Sequence, residues 1–185
     1  MKRAFDVFFA SLFLFILSPF LLVTAFLIKI SSEGPVLFVS ERCGQNGQLF
    51  KFLKFRTMNT GAPLMASHSI DAPQYLTRIG KFLRKTSLDE LPQLWNVVLG
   101  EMSLVGPRPV IPAETDLVEH RKALGVDRIL PGITGWAQIN GRDNLSAKEK
   151  AGLDYEYMQR QSFWFDLKII MITIWKVLFA HDITH

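Results

Sequence analysis

The chain has 185 residues, which suits one compact domain with one accessory segment. Its net charge of +4 and sequence pI near 9.3 favour anionic partners: nucleic acid, anionic lipid or phosphorylated substrates. The single cysteine, Cys43, excludes an intramolecular disulfide and a cysteine-rich zinc site and fits a reducing cytoplasm; the four histidines lack metal-ligand spacing.

Lys2 and Arg3 precede an uncharged run from Val7 to Ile28, bounded by Asp6 and Lys29. Three readings compete. A signal peptide has the basic start, but the run outlasts a typical apolar core. A spanning helix has nearly the right length, since about 20 residues cross the hydrocarbon. The third is a helix that enters the membrane, bends and leaves on the same side. Ser18-Pro19 supports it: the proline strips the Phe15 carbonyl of its donor, and a nearby serine hydroxyl can satisfy that carbonyl. Basic residues at both ends also suit it. Prolines occur in spanning helices too, so the residues alone leave spanning and re-entrant evenly matched. Ser31 to Pro35 is a breaker cluster that marks the exit.

Val36 to Val39 and Leu49 to Phe55, separated by a turn containing Asn46-Gly47, predict a β-hairpin. Extended backbone over Leu49 to Arg56 directs Lys54 and Arg56 to one face, which a solvated basic edge strand would equally present. Thr60 to Pro73 lacks periodicity and is expected to be a loop, either a lid or a linker. Leu76 to Lys85 turns helical, with Leu76, Ile79 and Leu83 on one stripe and Arg78, Lys81 and Lys85 on another. Such a segment suits a membrane surface or an anionic groove.

Two adjacent carboxylates, Asp89 and Glu90, follow the basic pair Arg84-Lys85 and precede Leu91, Leu94, Trp95 and Val98, which recur at helical spacing. Ser87 with Glu90 reads as a capping box, which puts both acids in a first helical turn. There they complement the helix dipole, which by itself implies no chemistry. Neighbours on a helix diverge by about 100°, so the pair suits two roles rather than one facing site.

Pro107 and Pro109 stiffen the backbone around Arg108, a geometry useful for bidentate phosphate contact. A turn arginine facing water is the plain alternative. Glu114 to Leu124 reads as a short polar helix. Pro131 to Arg142 is rich in glycine and amides without a Walker ending, so a nucleotide-contacting loop and a structural turn both fit. Phe163 to Phe179 is apolar almost all round; Trp164 and Trp175 favour an interfacial helix over simple core packing.

Four motifs now stand in order: Lys-Phe-Arg-Thr-Met at 54–58, Ser-Leu-Asp-Glu-Leu-Pro-Gln-Leu at 87–94, Gly-Pro-Arg-Pro at 106–109, and Pro-Gly-Ile-Thr-Gly-Trp-Ala-Gln-Ile-Asn-Gly-Arg at 131–142. Together they resemble the bacterial sugar transferase family, the monotopic phosphoglycosyl transferases, over nearly the whole chain. The resemblance implies transfer of a phosphosugar from a UDP-sugar to polyprenol phosphate, giving polyprenol diphosphate-sugar and UMP, with Mg²⁺ required. It implies that Asp89 and Glu90 are catalytic, and that the membrane helix is re-entrant and bent at Ser18 and Pro19.

The expected fold is α+β, mainly helical with a small β-hairpin. A membrane anchor over residues 1–34 would precede a cytoplasmic catalytic domain over 35–185 carrying interfacial amphipathic helices. Asp89 would be the nucleophile, forming an aspartyl phosphosugar. Asp89 and Glu90 would hold Mg²⁺. Lys54, Arg56, Arg84 and Arg108 would bind substrate phosphates; Gln138, Asn140 and Arg142 would contact the uridine side. The expected setting is the cytoplasmic face of the bacterial inner membrane, among its lipids and without nucleic acid; the sugar and the oligomeric state stay open. Leu130 and Ser40 depart from the family pattern, which often has arginine and glutamine there; Arg128 stands close enough to replace the first. The competing reading, a non-enzymatic membrane-attached module for anionic lipid, leaves Asp89, Glu90 and Arg108 without a purpose.

Overall fold

The computed structural model describes residues 2–62, 73–141 and 144–179. Most of the expected loop between Thr60 and Pro73, and Arg142, lie outside them. The architecture is α+β and mainly helical.

Helix α1 runs unbroken from Lys2 to Ser31. It is long and apolar enough to cross a membrane. Its buried residues, Asp6, Ala10, Thr24 and Ile28, lie toward the two ends. Between them Phe15, Ile16, Leu22 and Val23 are exposed. Ser18 Oγ donates to the Phe15 carbonyl at 2.8 Å, the group that Pro19 leaves without a backbone donor. Ser18-Pro19 thus lies inside a continuous helix, at the point where its backbone bonding is interrupted.

Both ends of α1 are tied to the rest of the fold. At the start, Lys2 Nζ lies 2.6 Å from Asp166 Oδ2, and Ser103 Oγ donates to Asp6 at 2.8 Å. Arg3 donates to the Val98 and Met102 carbonyls. The buried Tyr157 hydroxyl reaches Asp166 Oδ1 at 2.7 Å and Val105 O at 2.9 Å. Burial first, then Asp166, holds that phenol far above its ordinary range, so it stays a donor. At the other end Arg56 donates to Glu33 O at 2.5 Å, Ser32 O at 2.8 Å and Ser32 Oγ at 2.9 Å, just past the last turn. A helix end leaves carbonyls without partners, and this guanidinium satisfies that region.

Strands β1 (Leu37–Cys43) and β2 (Leu49–Phe55) form the expected antiparallel hairpin, with β1 longer than the apolar run alone suggests. The register pairs Phe38 with Lys54, Ser40 with Phe52 and Arg42 with Phe50. Those six share one face, and Phe50 and Phe52 bury it.

Helix α2 (Arg78–Lys85) is capped by Thr77, whose Oγ1 accepts from Gly80 N at 2.8 Å. The next turn departs from the expected capping box. Ser87 takes φ 54° and ψ 17° and makes no cap bond; a 3₁₀ turn over Leu88–Glu90 leads through Pro92 into α3 (Gln93–Leu99). An N-cap needs extended backbone, which Ser87 lacks. The apolar stripe is also rotated. Trp95 and Leu99 are more than half exposed, whereas Gln93 and Asn96 are buried. The reason is hydrogen bonding: Asn96 donates to Lys51 O at 2.7 Å and accepts from Leu53 N at 3.2 Å, bracing α3 against β2.

A second, parallel sheet pairs β3 (Ser103–Val105) with β4 (Gly132–Thr134), where sequence patterning suggests only a helix end and a turn. Three-residue strands are too short to carry a period-two signal. The glycines hold this pairing close: a Cβ at Gly132 would lie 2.0 Å from Gly106 N, and one at Gly135 would lie 2.1 Å from Gly106 O. Helices α4 (Thr115–Ala123), α5 (Trp136–Ile139), α6 (Ala147–Arg160) and α7 (Phe163–Phe179) complete the domain. Helix α7 buries Phe165, Asp166 and Ile169 and exposes Trp164, Met171 and Trp175, so one face is core and the other is apolar and exposed. The main core joins Phe50, Phe52, Leu94, Val97 and Met102 to Tyr157 and Ile169, with Ala10 of α1 among them.

Candidate active site

The 3₁₀ turn between α2 and α3 presents Asp89 and Glu90 to different surroundings. Asp89 is only 6% exposed. The charges acting on it are Glu90, Lys54, Arg84 and Arg108. Lys54 comes from the inward face of β2, where its ammonium also lies 5.2 Å over the Phe38 ring. Arg84 is buried at the end of α2, and its Nε donates to Thr57 Oγ1 at 3.1 Å. Glu90 meets Arg108 in a fork, with Nη2 2.6 Å from Oε1 and Nη1 3.4 Å from Oε2. The Arg108 backbone is fixed in turn: Arg121 Nη1 donates to its carbonyl at 2.7 Å while Arg121 pairs with the buried Asp154 at 2.6 Å.

Burial, then Glu90, raises Asp89 to about 6 against the opposing pull of Lys54, Arg84 and Arg108. Burial lowers Lys54 to about 8, with Asp89 resisting. A carboxylate stripped of water beside a lysine that is still charged at neutrality is a basic, poorly solvated oxygen. That is a nucleophile's environment.

The structure brings together Lys54, Arg84, Asp89, Glu90 and Arg108. It does not bring Arg56, whose Nη atoms bond the carbonyls beyond α1. Arg56 is thus placed apart from the acidic pair, where β2 has ended at Phe55 and the next residue turns inward. Gln138 donates to Ile133 O at 3.0 Å and Asn140 to Trp136 O at 2.8 Å, so both amides serve the turn that carries them.

Sequence reading missed Arg42. Its buried guanidinium lies 5.2 Å over Phe52 and 4.0 Å from Glu114, and its Nε donates to Ser40 Oγ at 3.4 Å. Burial first, then Arg108, lowers its pKa, which ties it electrostatically to the same cluster. The signal was available in the hairpin register: extending β1 past Val39 puts Arg42 on the face of Lys54. Ser40, one of the two departures from the family pattern, is the partner of this arginine.

Among the described residues no group of three or more His, Cys, Asp and Glu side chains could hold a metal by itself. Mg²⁺ asks for less, one or two carboxylates completed by substrate phosphates and water. Asp89 and Glu90 are two adjacent carboxylates of that kind, set among cations that also suit phosphate. The acidic pair therefore fits Mg²⁺ brought in with a phosphorylated substrate.

These features define a class: an α+β protein that holds a long apolar helix by both ends and sets an acidic pair inside a shell of cations. The chain belongs to the bacterial sugar transferase family, whose model matches residues 1–180. It is 43% identical over 195 residues to the undecaprenyl-phosphate glucose phosphotransferase of Komagataeibacter xylinus, covering 98% of this chain and 36% of that protein. It is 42% identical over 187 residues to the UDP-glucose:undecaprenyl-phosphate glucose-1-phosphate transferase of Escherichia coli (strain K12), covering 95% of this chain and 40% of that one. Against the exopolysaccharide production protein ExoY of Rhizobium meliloti (strain 1021) the identity is 40%, with 94% of this chain and 83% of the relative covered. The chain thus spans about two fifths of the first two relatives.

Proposed function

We propose that the chain transfers a phosphosugar from a UDP-sugar to polyprenol phosphate at the cytoplasmic face of the bacterial inner membrane, an early step in glycan assembly. The observation that carries this reading is the buried Asp89, poised near neutrality among Lys54, Arg84 and the Glu90–Arg108 fork. The names of two relatives, a UDP-glucose transferase and a glucose phosphotransferase acting on undecaprenyl phosphate, support the substrate classes.

In the first half-reaction an Asp89 carboxylate oxygen attacks the sugar-bearing phosphorus. A new P–O bond forms, the anhydride bond to UMP breaks, and UMP departs with the electron pair. In the second half a phosphate oxygen of the polyprenol attacks the same phosphorus, expelling Asp89 and giving polyprenol diphosphate-sugar. One anhydride is exchanged for another through an acyl phosphate, so no further energy source is needed. Lys54, Arg84 and Arg108 neutralise phosphate charge, and Glu90 holds Arg108 in direction until substrate competes for it. Asp89 and Glu90 would hold Mg²⁺, which supplies charge neutralisation on the diphosphate.

The acceptor's phosphate lies at headgroup depth, so the site must lie there too. Residues 1–34 form the re-entrant anchor in this reading and 35–185 the catalytic part. The ties at both ends of α1 support it, because one water-facing domain cannot grip both ends of a spanning helix. Purified protein with a panel of UDP-sugars and Mg²⁺ is expected to release UMP in full turnover only when polyprenol phosphate is present. With donor alone, an adduct should be trapped on Asp89 and read by mass spectrometry. A lipid-binding module without activity would release no UMP from any donor.

A further inference from the structure

Gln93 is 1% exposed, and its amide nitrogen Nε2 has no hydrogen-bond partner. A buried donor without an acceptor is destabilising. The fold does not need this amide for bracing, since Asn96 already ties α3 to β2 through Lys51 O and Leu53 N.

The position of the amide is informative. Leu91 (φ −55°, ψ −34°) and Pro92 (φ −58°, ψ −18°) keep right-handed helical backbone, so the winding continues from the 3₁₀ turn into α3. Gln93 and Asn96 stand at i and i+3 of α3, neighbours on one side of it, and Asp89 lies in the 3₁₀ turn just before. All three are polar and buried, at 6%, 1% and 1% exposure. Asn96 meets β2 at Lys51 and Leu53, and Asp89 interacts with Lys54 of that strand. Gln93 stands between them in the chain, beside Asn96 on α3 and just after the turn that carries Asp89.

We propose that Gln93 is a further catalytic residue: its Nε2 donates a hydrogen bond to a non-bridging oxygen of the phosphoryl group that Asp89 accepts. The proposal rests on the aspartyl phosphosugar reading above and adds a residue to it. Charge spreads over those oxygens in the transition state, and a donor fixed in a water-poor site stabilises it without reorganising. A neutral amide suits this position better than another cation, which would pull Asp89 further down and weaken it as a nucleophile. Gln93 gains and loses no proton and forms no covalent bond.

The test uses Gln93→Met, close in length and apolar, and Gln93→Glu, which keeps the shape but not the amide donor. Single-turnover adduct formation with UDP-sugar and Mg²⁺ is measured together with KM and thermal unfolding. Gln93→Met is expected to unfold at the wild-type temperature or above it, because an unsatisfied donor has gone. Its adduct is expected to form about 100–1000-fold more slowly, the usual loss for one such donor. KM for the UDP-sugar should change little, and Gln93→Glu should be slowed as well. Adduct formation in Gln93→Met within about threefold of wild type overturns the proposal, and so does a marked loss of stability, which would make the amide structural. Absence of any adduct in the wild type sinks the Asp89 reading itself, an outcome distinct from normal kinetics in the variant.

Discussion

Burial lifts Asp89 to about 6, while a free carboxyl of this type titrates at 3.8, so the folded chain holds that proton more tightly than the unfolded one. Between those values the native state carries the extra proton. Stability therefore falls as pH rises through about 6, and at neutrality the buried charge is a standing penalty. Asp89→Asn removes it: UMP release should cease while thermal stability rises by the equivalent of about 1–3 kcal/mol. A variant that keeps turnover, or that loses stability, contradicts the assignment. The same two groups set the pH profile. In the proposed mechanism attack requires ionised Asp89, giving an acid limb at about 6, and phosphate binding requires protonated Lys54, giving an alkaline limb at about 8. The limbs belong to the coupled pair, so changing one residue moves both in calculable directions. Lys54→Arg should push the alkaline limb upward, because a guanidinium keeps its charge. Lys54→Met should push the acid limb upward, because Asp89 loses its strongest favourable charge. UMP release across pH 5–10 checks both shifts.

Among the elements, those with a local signature were legible. The Asn46-Gly47 turn announced the hairpin, Asn46 taking φ 55° as its side chain allows; the two stripes of 76–85 announced α2, and the polar run 114–124 and the apolar run 163–179 announced α4 and α7. The motifs around Asp89 and Arg108 were legible as clustered charge. What escaped depends on contacts made far along the chain. The β3–β4 pair rests on glycine backbones at 106 and 132 meeting edge to edge, which no pattern within three residues reveals. Arg42 and Arg56 are both basic residues in or beside the hairpin, yet one faces the cluster and the other terminates α1; only the register and the position of α1 separate them. That second role makes its own prediction. Arg56→Lys loses the fork over the Ser32 and Glu33 carbonyls and should cost about 2–4 kcal/mol of stability. Gly34→Ala brings a Cβ to 2.2 Å from Arg56 Nη1 on backbone at φ +117°, so it should disturb the same end of α1. The double variant should lose less than the sum of the two, since both break one contact. KM for the UDP-sugar in folded Arg56→Lys should stay at the wild-type value; a large rise would restore Arg56 to the phosphate shell.

On the scale of the molecule, the polar ends of α1 decide how the chain meets a bilayer. Exposed Phe15 and Leu22 in its middle, Phe82 and Trp95 on α2 and α3, and Trp164 and Trp175 on α7 are more apolar surface than a water-soluble domain carries without a partner. The exposed basic residues Arg78, Lys81 and Lys85 beside Phe82 add attraction to anionic headgroups. If α1 spanned the membrane, Lys2 and Asp6 would leave Asp166 and Ser103, and a buried network that also holds Tyr157 would lose two charged members. Breaking a buried pair by removing one partner typically costs about 3–5 kcal/mol, so the fold itself opposes that arrangement. The expected topology places both flanks of α1 on one side. In a Cys43→Ser background, a single cysteine at the exposed positions Ala4 or Glu33 should resist a membrane-impermeant maleimide in intact spheroplasts. Both should label once the membrane is opened. Labelling of the Ala4 variant from outside, with Glu33 protected, would show a spanning helix and detach the N-terminal network from the membrane-bound chain.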